Sequence, residues 1–332
     1  MFPFQAMVNS GRLVMNPKET NLGASAAPVW IGSDAANKKL RAAASRLAQT
    51  RSTLLVRGES GTGKDLFSEI VHYLGPNRDQ PLLKIDCATL PEGLMESELF
   101  GHEKGAFTGA VAAKVGRMEM AGEGTLVLDE VAALTPAMQA KLLRVVDQRT
   151  FERLGGRVVR RLMARIIALT AADLERAVRD RSFREDLYFR LAVIPVALPP
   201  LRDRRDDIRP LAEHFLAQLG RWHGFPKTGI STPALEALEA YDYPGNAREL
   251  RNLIERAMIE ARGGEIRPRH LPISLLNGSP SEGRRTASLE EVEQAYIREV
   301  LKTTHDSMDQ TAAILGISRK TLFLKRKRYH LD

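Results

Sequence analysis

Two short stretches of this chain bring together side chains whose kind and spacing suit chemistry on phosphate. The first, Gly58-Glu59-Ser60-Gly61-Thr62-Gly63-Lys64, has the G-x-x-x-x-G-K spacing. Its glycines let the backbone curl until several N–H groups face one phosphate, and the helix that follows adds the positive end of its dipole. Lys64 then reaches the β- and γ-phosphates. Asp65 stands where a Ser or Thr ligand for magnesium usually follows the lysine. The second stretch, Thr125-Leu126-Val127-Leu128-Asp129-Glu130, is an apolar run closed by two acids. Asp129 suits a hold on Mg²⁺, directly or through water, and Glu130 suits the polarising of an attacking water. Acids at a strand end are ordinary by themselves. Behind a phosphate loop they indicate nucleotide hydrolysis, and with no guanine-reading motif present the expected nucleotide is ATP.

These motifs need elements to hold them. Strand-like runs fall at Thr53–Arg57, Leu82–Asp86, Thr125–Asp129, Arg165–Thr170 and Val193–Leu198. Helix-like runs lie around Asn37–Ala48, Lys64–Leu74, Pro136–Val146 and Asp173–Arg179. Strands alternating with helices of this length predict an α/β fold, a mostly parallel sheet flanked by helices. After Pro199-Pro200 the strand signals stop, and three helices are expected, Asp206–Trp222, Thr232–Tyr241 and Asn246–Arg262. The expected division is a disordered lead-in (1–28), an α/β ATPase subdomain (29–200), a helical lid subdomain (201–273), a linker (274–287) and a small all-α domain (288–332).

In the last segment, Leu289, Val292, Tyr296 and Val300 recur at helical spacing behind a Ser288/Glu291 capping box. A short helix over 309–315, a turn at Gly316-Ile317 and a second helix over 318–329 follow, which is a helix-turn-helix layout. Leu315, Ile317, Leu322 and Leu324 supply its apolar spacing. Residues 317–332 carry six basic side chains against Asp332 alone. Ser318, Arg319, Lys320 and Thr321 sit where base edges are met, and Lys325, Arg326 and Arg328 suit phosphates.

Composition narrows the setting. The 332 residues carry 49 Lys and Arg against 41 Asp and Glu, a net charge of +8, which favours a polyanionic partner. One cysteine, Cys87, excludes an intrachain disulfide framework and a cysteine-based zinc site. No apolar run approaches the length of a membrane span and the first residues do not read as a secretory signal, so a cytoplasmic protein with no membrane partner is expected.

Between the two phosphate motifs lies Glu98-Leu-Phe-Gly-His102-Glu-Lys-Gly105-Ala106-Phe107-Thr108-Gly109-Ala110. Its glycines bracket Phe107 and Thr108 and suit a mobile tip with one aromatic side chain. The stretch resembles the signature loop of the sigma-54-dependent bacterial enhancer-binding proteins, a branch of the AAA+ ATPases. The resemblance covers about residues 29–272, and the tail resembles that family's Fis-type domain. It implies a ring, a hexamer of this chain or a mixed ring with a related chain, with ATP and Mg²⁺ bound between subunits. Residues 105–110 would act on sigma-54 in the closed polymerase complex, and the tail would bind enhancer DNA.

Further matches carry over. Phe183-Arg184-Glu-Asp-Leu-Tyr-Phe-Arg190 resembles the family's arginine-finger stretch, so Arg184 and Arg190 would reach a neighbour's γ-phosphate. Tyr243-Pro-Gly-Asn-Ala-Arg248 resembles the sensor II segment, and Phe151-Glu-Arg-Leu-Gly-Gly156 the second surface loop. Three positions depart from the pattern. Asp86 replaces the Asn that holds the catalytic Glu, Ala171 replaces the sensor I Asn, and Asp65 replaces the usual Glu. Asp86 would set a carboxylate near Glu130, altering that switch. The alternative is a DNA-binding regulator, a repressor or auxiliary ring subunit, with weak or no hydrolysis. The short stretch ahead of the ATPase module leads to the expectation that control comes through expression level or a separate inhibitory protein.

Overall fold

The computed structural model describes residues 28–32, 35–225, 228–272, 293–294, 296–298, 300–301, 304 and 307–329. The readings made for the lead-in, for the linker 274–287 and for the Ser288/Glu291 cap lie outside the described residues, apart from Pro28. The chain divides into two compact units, Met1–Ser279 and Pro280–Asp332.

In the first unit the five apolar runs are strands: β1 (Leu54–Arg57), β2 (Leu82–Asp86), β5 (Thr125–Asp129), β8 (Arg165–Thr170) and β9 (Ile194–Ala197). They pair in the order β2-β5-β8-β1-β9, every pair parallel. Short strands form two antiparallel pairs, β3 (Gly101–His102) with β4 (Lys114–Val115), and β6 (Thr150–Phe151) with β7 (Arg160–Arg161).

A sheet buried on both faces needs apolar side chains at consecutive positions, and the sequence supplies them. Leu54 and Val56 face a cluster that includes Phe67, Val71, Val127 and Ile167. Leu55, Leu126, Leu128 and Ile166 face the opposite cluster with Met138 and Leu142. This alternation is the strand period of two, and each fully buried aliphatic side chain contributes roughly 1.5–3 kcal/mol.

The helices follow local signals. α1 (Ala35–Ala48) and α2 (Lys64–Tyr73) lie on the Phe67 side of the sheet. α5 (Pro136–Gln148) starts where Thr135 accepts from the Met138 N–H and Pro136 takes the first helical turn. α6 (Leu174–Arg179) starts from Asp173, whose carboxylate accepts from the Arg176 N–H. Three helices went unread in the sequence, α3 (Glu92–Phe100), α4 (Arg117–Met120) and α7 (Glu185–Leu191). They run for four to nine residues and, unlike α6 behind Asp173, none has a side chain capping its start, so neither a long period nor a start signal marks them.

The helical part that follows comprises α8 (Ile208–His223), α9 (Thr232–Ala240) and α10 (Asn246–Glu260), packed on a core of Leu216, Leu238, Ile254 and the fully buried Tyr243. The Tyr243 hydroxyl donates to the Leu238 carbonyl at 2.8 Å.

In the second unit, helices Met308–Leu315 and Arg319–Arg328 meet at a turn. Gly316 closes the first at φ 65°, and Ser318 caps the second by accepting from the Thr321 N–H at 3.1 Å. The core is Ile297, Leu301, Ala312, Leu322 and Tyr329. Two positions read as apolar contacts are corrected here. Tyr296 is exposed, Ile297 and Leu301 being the buried neighbours, and Leu324 faces outward because Leu322 takes the inward position.

Gly124, just ahead of β5, donates to the Ala121 carbonyl and accepts from Arg165 N–H. A Cβ there would run into the backbone carbonyl of Pro81. Gly124→Ala is therefore expected to cost about 1–3 kcal/mol or more of stability, because backbone rather than a flexible side chain must yield. Urea unfolding of the two proteins measures this; an unchanged midpoint would contradict the packing described.

Candidate functional site

Parallel pairing sets the carboxyl ends of β1, β5 and β8 side by side, the edge where α/β sheets take ligands. The register aligns Asp86 with Asp129 and Arg57 with Thr170, and Gly58 N–H donates to the Thr170 carbonyl at 3.2 Å. The loop from Gly58 to Gly63 thus springs from the middle of the sheet. Gly61 and Gly63 adopt φ values of +80° and +101°, a region that favours glycine. Lys64 is buried, and its ammonium donates to the Gly58 and Glu59 carbonyls at 2.8 and 3.3 Å while standing 3.5 Å from Glu130.

The acids occupy the same edge. Glu130, at φ 49°, accepts from the Ala171 N–H at 3.0 Å, so Ala171 meets the glutamate through its backbone. Asp86 accepts from the Ala88 N–H at 2.8 Å and so braces the turn after β2. Asp129 pairs with Lys84 at 2.8 Å, and the same ammonium pairs with Asp65. Burial works against the Lys84 charge, but the bonds to Asp129 and Asp65 outweigh it and hold its pKa above the ordinary value. Lys84 escaped the sequence reading; a lone lysine inside an apolar run was the available signal. Two carboxylates sharing one cation beside a phosphate loop form a donor set that fits a magnesium ion, which takes one or two carboxylates plus phosphate oxygens.

The lid touches the loop directly. Arg248 donates to the Ser60 hydroxyl at 2.7 Å, Ala247 N–H to the Gly61 carbonyl at 3.1 Å, and Asn246 to the Ser60 carbonyl at 3.0 Å. Glu59 binds Arg202 in bidentate fashion, and that bond is the first reason its carboxyl lies below the usual range. Beneath the loop, Arg204 is buried and donates to the Thr62 carbonyl at 2.8 Å. Neither Arg202 nor Arg204 was singled out in the sequence, since both lie in a charge-dense stretch that reads as a solvated surface.

Arg184 stands just ahead of the short helix α7 and Arg190 in its last turn, and among the described residues neither meets this chain's own phosphate loop. Arg184 pairs with Asp186 at 2.8 Å and Arg190 with Asp147 at 2.6 Å, all exposed. The buried Gln139 fixes this segment by donating to the Ser182 carbonyl and accepting from the Arg184 N–H at 2.8 Å.

Residues 105–110 form a looped tip between β3 and β4, closed by Gly105 N–H to the Ala110 carbonyl at 2.9 Å. Gly105, Thr108 and Gly109 are exposed, Ala110 is buried, and Phe107 is 45% exposed with its ring edge-on to His102. The second loop lies against the first: Glu103 N–H donates to the Leu154 carbonyl, and Gly155 abuts Ala106. Arg153 makes a bidentate pair with Glu119 at 2.9 Å and reaches Glu103 at 3.2 Å, while Arg160 reaches Glu119 at 3.2 Å.

In the C-terminal unit, Ser318, Arg319, Lys320 and Arg328 are exposed, whereas Thr321, Lys325 and Arg326 are partly buried. Lys325 pairs with Glu293 at 2.6 Å and Arg319 with Asp309 at 3.1 Å.

A parallel sheet with a central phosphate loop, an acid-ended neighbouring strand and a helical lid on the loop define a P-loop protein of the AAA+ class. Residues 30–197 match the sigma-54 interaction domain, 202–288 the AAA+ ATPase lid domain, and 288–329 the Fis family of bacterial regulatory proteins. The chain belongs to the sigma-54-dependent transcriptional activators, the enhancer-binding proteins. It is 45% identical over 293 residues to the nitrogen fixation protein VnfA of Azotobacter vinelandii, covering 86% of this chain and 56% of that one. It is 43% identical over 297 residues to the regulatory protein AtoC of Escherichia coli K12, covering 86% and 64%. The chain spans about half the length of the curated relatives it matches. Among solved structures, NtrX of Brucella abortus in complex with ATP is similar at a TM-score of 0.71 and 34% identity, covering 90% of this chain and 69% of that one. No helix among the described residues is long and apolar enough to cross a membrane.

Cys87 lies between these acids, 3% exposed, and its N–H donates to the Asp129 carbonyl. Burial, with the charges of Asp86, Asp129 and Glu130, pushes its thiol up to about 12. The thiolate is the reactive form, so native protein near pH 8 is expected to resist a thiol reagent that labels the unfolded chain fully. Because the folded pKa is raised, the associated stability is intact below the unfolded value of about 8.5 and is lost as pH climbs toward the folded one. Timed labelling across that range checks both; rapid native labelling would contradict them.

Proposed function

We propose that this chain is an ATP-driven transcription activator that binds enhancer DNA and remodels the sigma-54 polymerase closed complex into an open one. The observation that carries this reading is the union, in one compact unit, of the Lys64/Asp129/Glu130 edge with an exposed Phe107 tip. ATP would lie across the phosphate loop, its phosphates met by loop N–H groups and Lys64, with Arg248 over it from the lid. Asp129 and Asp65 would hold the Mg²⁺, which when bound supplies charge neutralisation at the phosphates. Glu130 would leave its bond with the Ala171 N–H and orient the attacking water. Arg184 and Arg190, lent by the next protomer of a ring, would stabilise charge developing on the γ-phosphate; such fingers contribute about 10³-fold or more in rate. The ring would be a hexamer of this chain or would include a related chain. Residues 105–110 would then press on sigma-54, braced by the second loop through Arg153 and Glu119. In the Fis-type unit, Ser318, Arg319, Lys320, Thr321, Lys325, Arg326 and Arg328 would contact DNA.

A second reading draws on Glu130's restraint by the Ala171 backbone and on Asp86: a DNA-binding regulator that hydrolyses little or no ATP. Glu130→Ala separates the two. Loss of a water-orienting base is expected to cut hydrolysis by about 10²–10⁴-fold, with nucleotide still bound. Equal rates in the two proteins would favour the second reading. Phe107→Ala is expected to keep hydrolysis and to lose open-complex formation on a sigma-54 promoter. Unimpaired promoter opening by that variant would remove the proposed role of the tip.

A further inference from the structure

We infer that the exposed pair Phe323 and Leu324 reads thymine methyl groups in the major groove, which makes the C-terminal helix selective for thymine where its cations are not. This rests on the reading of that helix as the DNA-contacting element and adds which bases it selects.

The helix Arg319–Arg328 turns Leu322 into its small core. Its outward face is Arg319, Lys320, Phe323, Leu324, Lys327 and Arg328. These fall into two i, i+4 rows, Arg319-Phe323-Lys327 and Lys320-Leu324-Arg328, so an apolar pair sits between a basic pair on either side. Phe323 is 60% exposed and Leu324 57% exposed, and the core of Ile297, Leu301, Ala312, Leu322 and Tyr329 closes without them. Neighbouring aromatic and aliphatic side chains left in water are unfavourable unless a partner covers them.

The surroundings of the pair select that partner. Its four flanking residues are all cationic, and the carboxylate that meets one of them, Asp309 on Arg319, belongs to the preceding helix. The complementary surface is therefore anionic at its borders and apolar at its centre. Duplex DNA has this pattern: phosphates line the groove, and the thymine C5-methyl is the apolar group the groove floor presents. Phe323 and Leu324 are the fifth and sixth of the helix's ten residues, one turn on from the N-terminal residues that a recognition helix sets against base edges.

The test uses the full chain. Wild type, Phe323→Ala and Leu324→Ala each select duplexes from a random pool at one salt concentration. Thymines in the wild-type consensus are then replaced singly by deoxyuridine, which removes only the methyl. For wild type, one or more replacements are expected to weaken binding roughly fourfold each, the worth of one buried carbon. For the variants the same replacement is expected to be neutral, with the salt dependence unchanged because the cations remain. The inference is overturned if wild type tolerates every replacement or if both variants keep wild-type sensitivity. It is also overturned if the variants weaken on all sequences alike while their oligomeric mass falls, which would assign the pair to a protein contact. A pool that yields no enrichment with wild type would remove the DNA-contacting reading itself.

Discussion

The phosphate loop is held from two sides, and the arrangement of the first unit follows from that constraint. Below, Gly58 is tied to β8 through the Thr170 carbonyl, and Lys64 is pinned by two loop carbonyls. Above, Ala247, Asn246 and Arg248 of the lid bond to Gly61 and Ser60. Such contacts close only if the loop passes close to the lid, and Gly61 permits this by having no Cβ to strike the Gly245 carbonyl. The lid is thus attached to the backbone that would surround a nucleotide. A change in the loop is conveyed to it without an intervening linker.

The two surface loops share a similar economy. Phe107 stands on a tip whose glycines leave it little internal support, yet its base is not loose. Leu154 bridges His102, and the carboxylates of Glu103 and Glu119 converge on Arg153 and Arg160. A bidentate guanidinium pair with a half-buried acid is stiffer and stronger than an exposed ion pair. The base of one loop is therefore tied to the other, while the Phe107 ring stays exposed at the end.

Most of this was legible in the sequence where a period or a motif was long enough to carry it. Five apolar runs became the five strands, because a doubly covered sheet demands near-continuous hydrophobicity. The phosphate loop and the Asp129-Glu130 end were legible because their chemistry constrains residue type at each position. What the sequence hid were pairings between distant charges. Nothing local marks Lys84 as the partner of Asp129, Arg204 as a support for the Thr62 carbonyl, or Arg153 as the link to Glu119. Arginine is common, and only the fold selects which of many carboxylates it meets. Short helices such as α7 were hidden for another reason, having few turns and no capping side chain at the start, where the equally short α6 has Asp173.

The same consideration explains where the apolar reading of the tail went astray. Leu322 and Leu324 are two residues apart, which a helix places about 200° around its axis. Both cannot face one core. Gly316 and Ser318 fix where the second helix starts, and that start turns Leu322 inward toward Ala312 and Tyr329. Leu324 is then carried outward beside Phe323, among cations. A helix built only to bind phosphate would gain from a lysine or glutamine there, which costs nothing in water. Keeping leucine on that face makes sense for a surface that discriminates as well as adheres, since charge alone attracts any duplex and an apolar contact favours one base.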